Sequence, residues 1–562
     1  MTGIIACMLI LLSCAVPITS TNTSKTTSGP LTQETSLYVG GSGPGNYSKI
    51  QDAIIAASDG DTIFVYNGLY NENVVVSKSI TLIGEDKETT IIDGQGKADS
   101  VRLTDNHITM SGFTVQHGRD VGIFLLAENI TVTGNILASN GIDIWLCYSY
   151  NTISDNIFLG GGLYIPYYYG HHNVITNNFV DGKPLVYLEG VHDILITSES
   201  GQIVLLDCEN IWIQDQNLQG TYHGLMIGGS RNCLVSHNTI SRCFTGIFMF
   251  QSTDIDITAN TIDNNTAFGI HLMNSSDNRI SQNSISSSKS GSGIYIEYYS
   301  TYNVISNNTL ISNCQDGVHI NSCGNRVSDN IFLHNNHGIG LYNSSPTYPN
   351  DSARFTVIER NIISDGGEGD GIHLHGIDNC QITDNLITNN RYGIRQGSCR
   401  DNTLTQNILM NNSWKGIALE DSIDTLVSGN TIEQSIIGIS LETSNSIDIV
   451  ANDVQDNTHG MHLYLSSDAS IAYNDIAKNK KGIYLEQSNN NTIDHNNFKR
   501  NERHGNFLNC TNTWDGNFWN RMRFLPYLII GKQTVTLPFQ KQIELPKIDI
   551  DRNPAPQPNV IP

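Results

Sequence analysis

Between residues 384 and 496 apolar and polar residues alternate in runs of three to five, and Gly, Asn, Asp and Ser interrupt the runs at fixed intervals. Two phrases organise this pattern. Asn385, Asn407, Asn430, Asn452, Asn474 and Asn496 recur every 22 or 23 residues, each followed by an apolar pair or its equivalent. Between them stands Gly-Ile-x-Leu or a close variant, as in Gly416-Ile417-Ala418-Leu419 and Gly482-Ile483-Tyr484-Leu485. Side chains alternate faces along a strand, so Ile and Leu point inward and the residue between them outward. A unit this short and this rich in β-branched residues does not suit a helical repeat; it predicts one turn of a parallel β-helix per repeat.

Turns of such a solenoid stack about 4.8 Å apart, so equivalent residues form columns along the axis. The Asn marks predict one inward column at a corner, each amide bonded to the next turn. The marks extend backwards through Asn361, Asn330, Asn308, Asn283, Asn260, Asn238, Gln216, Asn178, Asn156 and Asn135 to Gly112. The expected fold is all-β: a right-handed single-stranded parallel β-helix of about seventeen or eighteen turns over residues 80–510. The step widens to 38 residues between Asn178 and Gln216 and to 31 between Asn330 and Asn361. The second excess predicts a loop at 344–354 that overhangs the outer surface.

Helical spacing from Ile50 to Ala57, followed by alternating strands, predicts a short helix that plugs the first turn within an N-terminal cap at 37–79. Trp514, Phe518 and Trp519 predict an aromatic C-terminal cap, with extended strands to residue 552 and a loose Pro-rich tail at 553–562. These features resemble the NosD-like group of right-handed β-helix proteins and the wider set of carbohydrate-binding and sugar-hydrolase β-helices. The N-terminal run Gly60-Asp61-Thr62-Ile63-Phe64-Val65 resembles the opening of extracellular β-helix proteins. The resemblance implies export and either a polysaccharide ligand or a copper-handling accessory role. The Asp-Pro-His-Asp motif of alginate epimerases and the signatures of polygalacturonases and pectin methylesterases are absent, so it supplies no catalytic residues. A polysaccharide lyase or glycoside hydrolase stays open as an alternative.

The charge narrows the partners. A formal net charge of −23 excludes the basic surface that nucleic acid or an anionic membrane requires. Residues 4–16 form an apolar run of secretion-signal length, so 1–20 reads as a signal peptide or N-terminal anchor, with Cys14 in a lipoprotein-like setting, followed by a Ser/Thr-rich linker at 21–36. The other nine cysteines lack metal-site spacing and read as small corner residues, with Cys380 and Cys399, on neighbouring turns, a potential bridge.

The chemistry concentrates on the outward positions of the Gly-Ile-x-Leu strands. His271, Tyr295, His319, His373, Arg395 and Tyr484 follow two residues after Gly, and Glu297, Tyr342, His375, Glu420 and Glu442 two further on. Tyr342, Arg395, Tyr295, Tyr484, Glu420 and Glu442 are the expected polysaccharide contacts. His373 and His375, two apart on one strand, are candidate ligands for copper or another divalent metal, with Glu368 and Asp370 as oxygen donors. Glu297 beside His271 and His319 is the candidate for acid–base work.

Overall fold

The computed structural model describes residues 35–166, 170–343, 353–523, 525–536 and 542–561. The expected N-terminal signal or anchor, and residues 344–352 of the expected overhanging loop, lie outside them.

The chain is a parallel β-solenoid with three short strands per turn and, among the described residues, one α-helix. The first-face strands form a stack of seven and then a stack of fifteen, which makes about 22 turns. The expected seventeen or eighteen was an undercount with specific causes. Three N-terminal turns, ending at Val39, Val65 and Gly84, carry no Asn mark. A short turn, Lys183–Glu189 and His192–Ile196, hides inside the 38-residue gap. A last turn ends at Asn517.

Inward residues behave as the alternation demands: Ile247 and Met249, Ile270 and Leu272, Ile339 and Leu341 are fully buried in one continuous core. The helix Ile50–Ala56 buries Ile50, Ala53 and Ile54 in the core of the N-terminal stack.

The solenoid carries a dislocation inside the 38-residue step between Asn178 and Gln216. After Val180 the chain reverses at Asp181-Gly182, and Lys183–Glu189 pairs antiparallel with the strand before it and parallel with Gln202–Leu206. From here Val204, Leu206, Met226, Phe248 and Phe250 point outward from the third face, yet they are buried in the core cluster of the N-terminal stack. The N-terminal stack is therefore set against the outer side of the third face, joined by Tyr222 N–H to Gly161 O at 2.7 Å and Leu163 N–H to Gln202 Oε1 at 2.9 Å.

The Asn column exists as expected and runs unbroken from Asn238 to Asn517. At Asn283 the backbone N–H donates to Asn308 Oδ1 at 2.9 Å, and Nδ2 donates to the same oxygen at 3.0 Å and to Ile257 O at 2.8 Å. The residue before each Asn turns the corner in the left-handed region, as at Ala259, Gln282, Asn307 and Asp329. Further polar columns accompany it. Ser422, Ser444 and Ser466 each donate a backbone N–H to the next hydroxyl, ending at Ser488 on Cys510 Sγ. Asn457, Asn479 and Asn501 line another corner.

Cys380 and Cys399 are both free and buried, so the potential bridge is not formed. The register explains it: Cys380 N–H meets Asn402 Oδ1, whereas Cys399 Sγ accepts from Ile377 N–H, placing the two sulfurs in different columns. The tail is not loose through its described length, because Asn559 exchanges hydrogen bonds of 2.7 and 3.0 Å with Asn497.

Candidate functional site

The third face owes its shape to glycine. A Cβ on Gly371 would stand 2.4 Å from Ile387 Cγ2 and 2.6 Å from Gly393 O, and Gly338 and Gly438 meet equivalent obstacles. This inward position has no room for a side chain, so the strand lies close to the core; the Ile after Gly stays buried and the residue before Gly projects outward. Each strand thus carries three outward columns: the residue before Gly, the residue two after, and the residue four after.

Along these columns one ring per turn forms a file over seven consecutive turns: His223, Phe248, His271, Tyr295, His319, Tyr342 and His373. Successive centroids are 4.7, 5.2, 4.9, 5.0, 4.5 and 5.5 Å apart. The file starts beneath the N-terminal stack, where burial, reinforced by His271, pushes His223 down to about 3 and keeps it neutral. It emerges at His271. At Gly340 the repeat offers no outward side chain, and the Tyr342 ring folds back into the gap; a Cβ there would lie 2.5 Å from both Tyr342 Cε2 and Asp316 Oδ2.

Buried carboxylates orient the imidazoles. Glu297 holds His271 Nε2 at 2.9 Å, Asp316 holds His319 Nδ1 at 2.6 Å, and Asp370 holds His373 Nδ1 at 2.6 Å. These acids are 4%, 3% and 3% exposed, whereas their partners reach the surface. Glu297 therefore serves His271 alone; His319 has its own acid, and Tyr295 stands between the two histidines. His337 lies between Asp316 and Asp370. It accepts the Asp370 N–H on Nδ1 at 2.9 Å, and burial lowers its basicity although both carboxylates oppose the shift. Tyr342 Oη donates to Asp316; burial first, then the two acids, holds its proton more firmly than in a free tyrosine.

The remaining candidates are placed differently. Arg395 donates to Glu420 Oε2 at 2.9 Å and lies over the Tyr392 ring; burial opposes its charge, but Glu420 prevails and raises its pKa. Lys415 stands 3.8 Å from both Glu420 and Glu442, so the three anticipated charged contacts belong to one ion-pair group. Tyr484 sits apart, stacked on His462 at 5.2 Å. There burial, with His459 and the nearby lysines, lowers His462 to about 4.

His373, Asp370 and His337 bring one potential ligand atom each within 4.8 Å of one another. His375 lies outside this group, exposed and beside Tyr342 and Gly397. Residues two apart on a strand are separated by roughly 6.6 Å, and His373 turns back toward Asp370 instead. Asp316 and His337 were missed because the column before Gly was not read as outward, although Asp316-Gly317, His337-Gly338 and Asp370-Gly371 display it.

A cell surface glycoprotein of Methanothermus fervidus is 24% identical over 303 residues, 51% of this chain and 42% of that protein, so the chain spans less than half of that relative's length. Among solved structures, the periplasmic alginate epimerase AlgG is 14% identical over 75% of this chain and 83% of its own, with a TM-score of 0.30. DFA-IIIase from Arthrobacter chlorophenolicus A6 without its lid is 13% identical over 65% and 93%, with a TM-score of 0.29. Scores this low carry no argument about function. The family described as periplasmic copper-binding protein (NosD) matches residues 54–190, 186–367 and 337–534, most of the length, and the chain belongs to the NosD family.

Proposed function

We propose that the protein is exported and binds a neutral polysaccharide along the third face, with the file from His271 to His373 as its floor. The observation that carries this reading is the file itself: one polar-edged ring per turn, in a straight row, starting at the ledge of the N-terminal stack. Tyr342 is stacked between His319 and His373, and Tyr295 meets His319 edge to face, so the row offers mainly ring edges and polar atoms. A sugar chain would be held by hydrogen bonds to imidazole nitrogens, phenol oxygens and Asn321, whose Nδ2 already reaches Tyr295 Oη at 3.2 Å. Glu297, Asp316 and Asp370 make this floor acidic, and Arg395 is engaged by Glu420, so a uronate chain would be repelled. The periplasmic description of the family and the cell-surface relative support a location outside the cytoplasm.

Affinity electrophoresis through gels containing neutral or uronic-acid polysaccharides tests the proposal. At least one neutral polymer should retard the protein, and Tyr295→Ala and Tyr342→Ala should each weaken binding about ten-fold, or about 1.4 kcal/mol. No retardation by any neutral polymer, retardation unaffected by both substitutions, or stronger retardation by uronates would each refute it.

A further inference from the structure

The phrase Asp-Gly-x-His occurs twice on the third face, at 316–319 and 370–373, two turns apart, and each copy makes the same 2.6 Å bond from its histidine Nδ1 to its aspartate. The copies differ in what lies in the turn before. The register of Ile294 with Val318 puts Ser292 beside Asp316, whereas that of Ile339 with Ile372 puts His337 beside Asp370. Only the downstream copy, among the described residues, gains a third ligating side chain.

We propose that His337, Asp370 and His373 bind one divalent transition-metal ion, through one nitrogen of each imidazole and a carboxylate oxygen. The site is new relative to the glycan reading and does not depend on it. An ion with bonds of 2.0–2.1 Å and tetrahedral angles needs its donors about 3.3 Å apart. The present separations bracket that value: Asp370 Oδ2 is 2.6 Å from His373 Nδ1 and 3.9 Å from His337 Nδ1, and all three donors fall within 4.8 Å. Small side-chain shifts therefore complete the geometry.

The Asp370 N–H bonded to His337 Nδ1 fixes the tautomer with its lone pair on that nitrogen and directs the pair toward the aspartate. The ion competes with this amide. It also takes the place of the proton between His373 Nδ1 and Asp370 Oδ2: a neutral ring shifts that proton to Nε2, and a cationic ring releases it to solvent and keeps the one already on Nε2. Both rings reach solvent, 22% and 17% exposed, which leaves a path for entry and a position for water. Asp316, on the far side of His337, adds negative charge. Arg395 on the next turn is paired with Glu420, which weakens its repulsion of an ion, although its charge still lowers the basicity of His337.

Two nitrogens and one oxygen form a borderline donor set suited to Zn(II), Cu(II) or Ni(II). Copper, the metal in the family's description, fits this set better as Cu(II) than as Cu(I), because one donor is a hard carboxylate and none is sulfur. The buried cysteines are no substitute: burial pushes Cys233 to about 11 and Cys380 and Cys399 to about 12, so they remain thiols.

The test uses the full chain, stripped of metal and titrated with Zn(II) and Cu(II) by equilibrium dialysis, with electron paramagnetic resonance of the copper form. One equivalent should bind, and the spectrum should show coupling to two nitrogens. His373→Ala, Asp370→Asn and His337→Ala should each weaken binding at least ten-fold, and each histidine change should remove one nitrogen coupling. If His337→Ala does not fold, His337→Gln keeps an acceptor for the Asp370 N–H and is scored in its place. His319→Ala, which breaks the copy lacking a third ligand, and His375→Ala should leave the metal affinity and both nitrogen couplings unchanged. Stoichiometric binding that survives the first three substitutions, or falls equally in His319→Ala, overturns the assignment.

Discussion

Asn308→Leu is expected to destabilise the solenoid by about 2–6 kcal/mol, because the substitution strands two buried groups at about 1–3 kcal/mol each. Asn283 N–H loses its acceptor, Asn308 Oδ1, and Ile280 O loses its donor, Asn308 Nδ2 at 2.8 Å. Leucine also has to enter a corner that Asn fills at zero exposure. Each turn contacts only its neighbours, so the loss should show first as protease cleavage around turns 283–335, then as a lower denaturation midpoint. A midpoint and cleavage pattern like those of the parent protein would contradict the role of the column.

That column was legible because a buried amide ladder imposes one residue type at one interval. The other columns were not, because their chemistry tolerates exchange. Cysteine sulfur replaces the serine hydroxyl in one of them, since either accepts a backbone N–H, as Ser488 on Cys510 shows. The N-terminal turns were undercounted for a related reason: Val39, Val65 and Gly84 end their first-face strands with no amide at the corner. Periodicity marked the dislocation only as the 38-residue step between Asn178 and Gln216, which contains the reversal at Asp181-Gly182, and gave no sign of its geometry. The second trace was apolarity at outward as well as inward positions of the strands that follow, as at Phe248 and Phe250 beside Ile247 and Met249.

The site was half legible for a geometric reason. Strand alternation after Gly correctly placed His271, Tyr295, His319, His373 and Arg395 in one outward row. It did not reveal that Gly itself is an inward residue pressed against the next turn, so that the residue before it also faces out. Asp316 and His337, which decide what the downstream histidines can do, stand in that unread column. His375 was paired with His373 on alternation alone. The structure shows that an acid three residues earlier attracts the imidazole more closely than a neighbour two residues later can approach it.

The end of the Asn column raises a separate problem, since Asn517 has no following turn to supply an acceptor. Asp551 supplies one from the strand Gln542–Asp551, which pairs antiparallel with Tyr527–Thr536 across the last turn. Fully buried, its Oδ2 accepts from Asn517 N–H at 3.1 Å, from Asn517 Nδ2 at 3.3 Å and from Trp519 Nε1 at 2.9 Å. Asn517 Nδ2 keeps Ile493 O and Asp515 O as acceptors, but Asn517 N–H and the indole N–H have only this carboxylate. Asp551→Leu should therefore leave two buried donors, Asn517 N–H and Trp519 Nε1–H, without the carboxylate, at about 1.5–3 kcal/mol each, and cost about 3–6 kcal/mol in the terminal turn. The damage should remain local: cleavage within 525–561 and a red-shifted indole emission from Trp514 and Trp519 at denaturant concentrations that leave the central turns folded. Asp551→Asn retains an acceptor oxygen and should recover part of the loss. If Asp551→Leu keeps the parent's cleavage pattern and emission, the terminal hairpin is held by Ile529 and by Tyr527 stacked 4.1 Å from Trp519, and the carboxylate does not terminate the column.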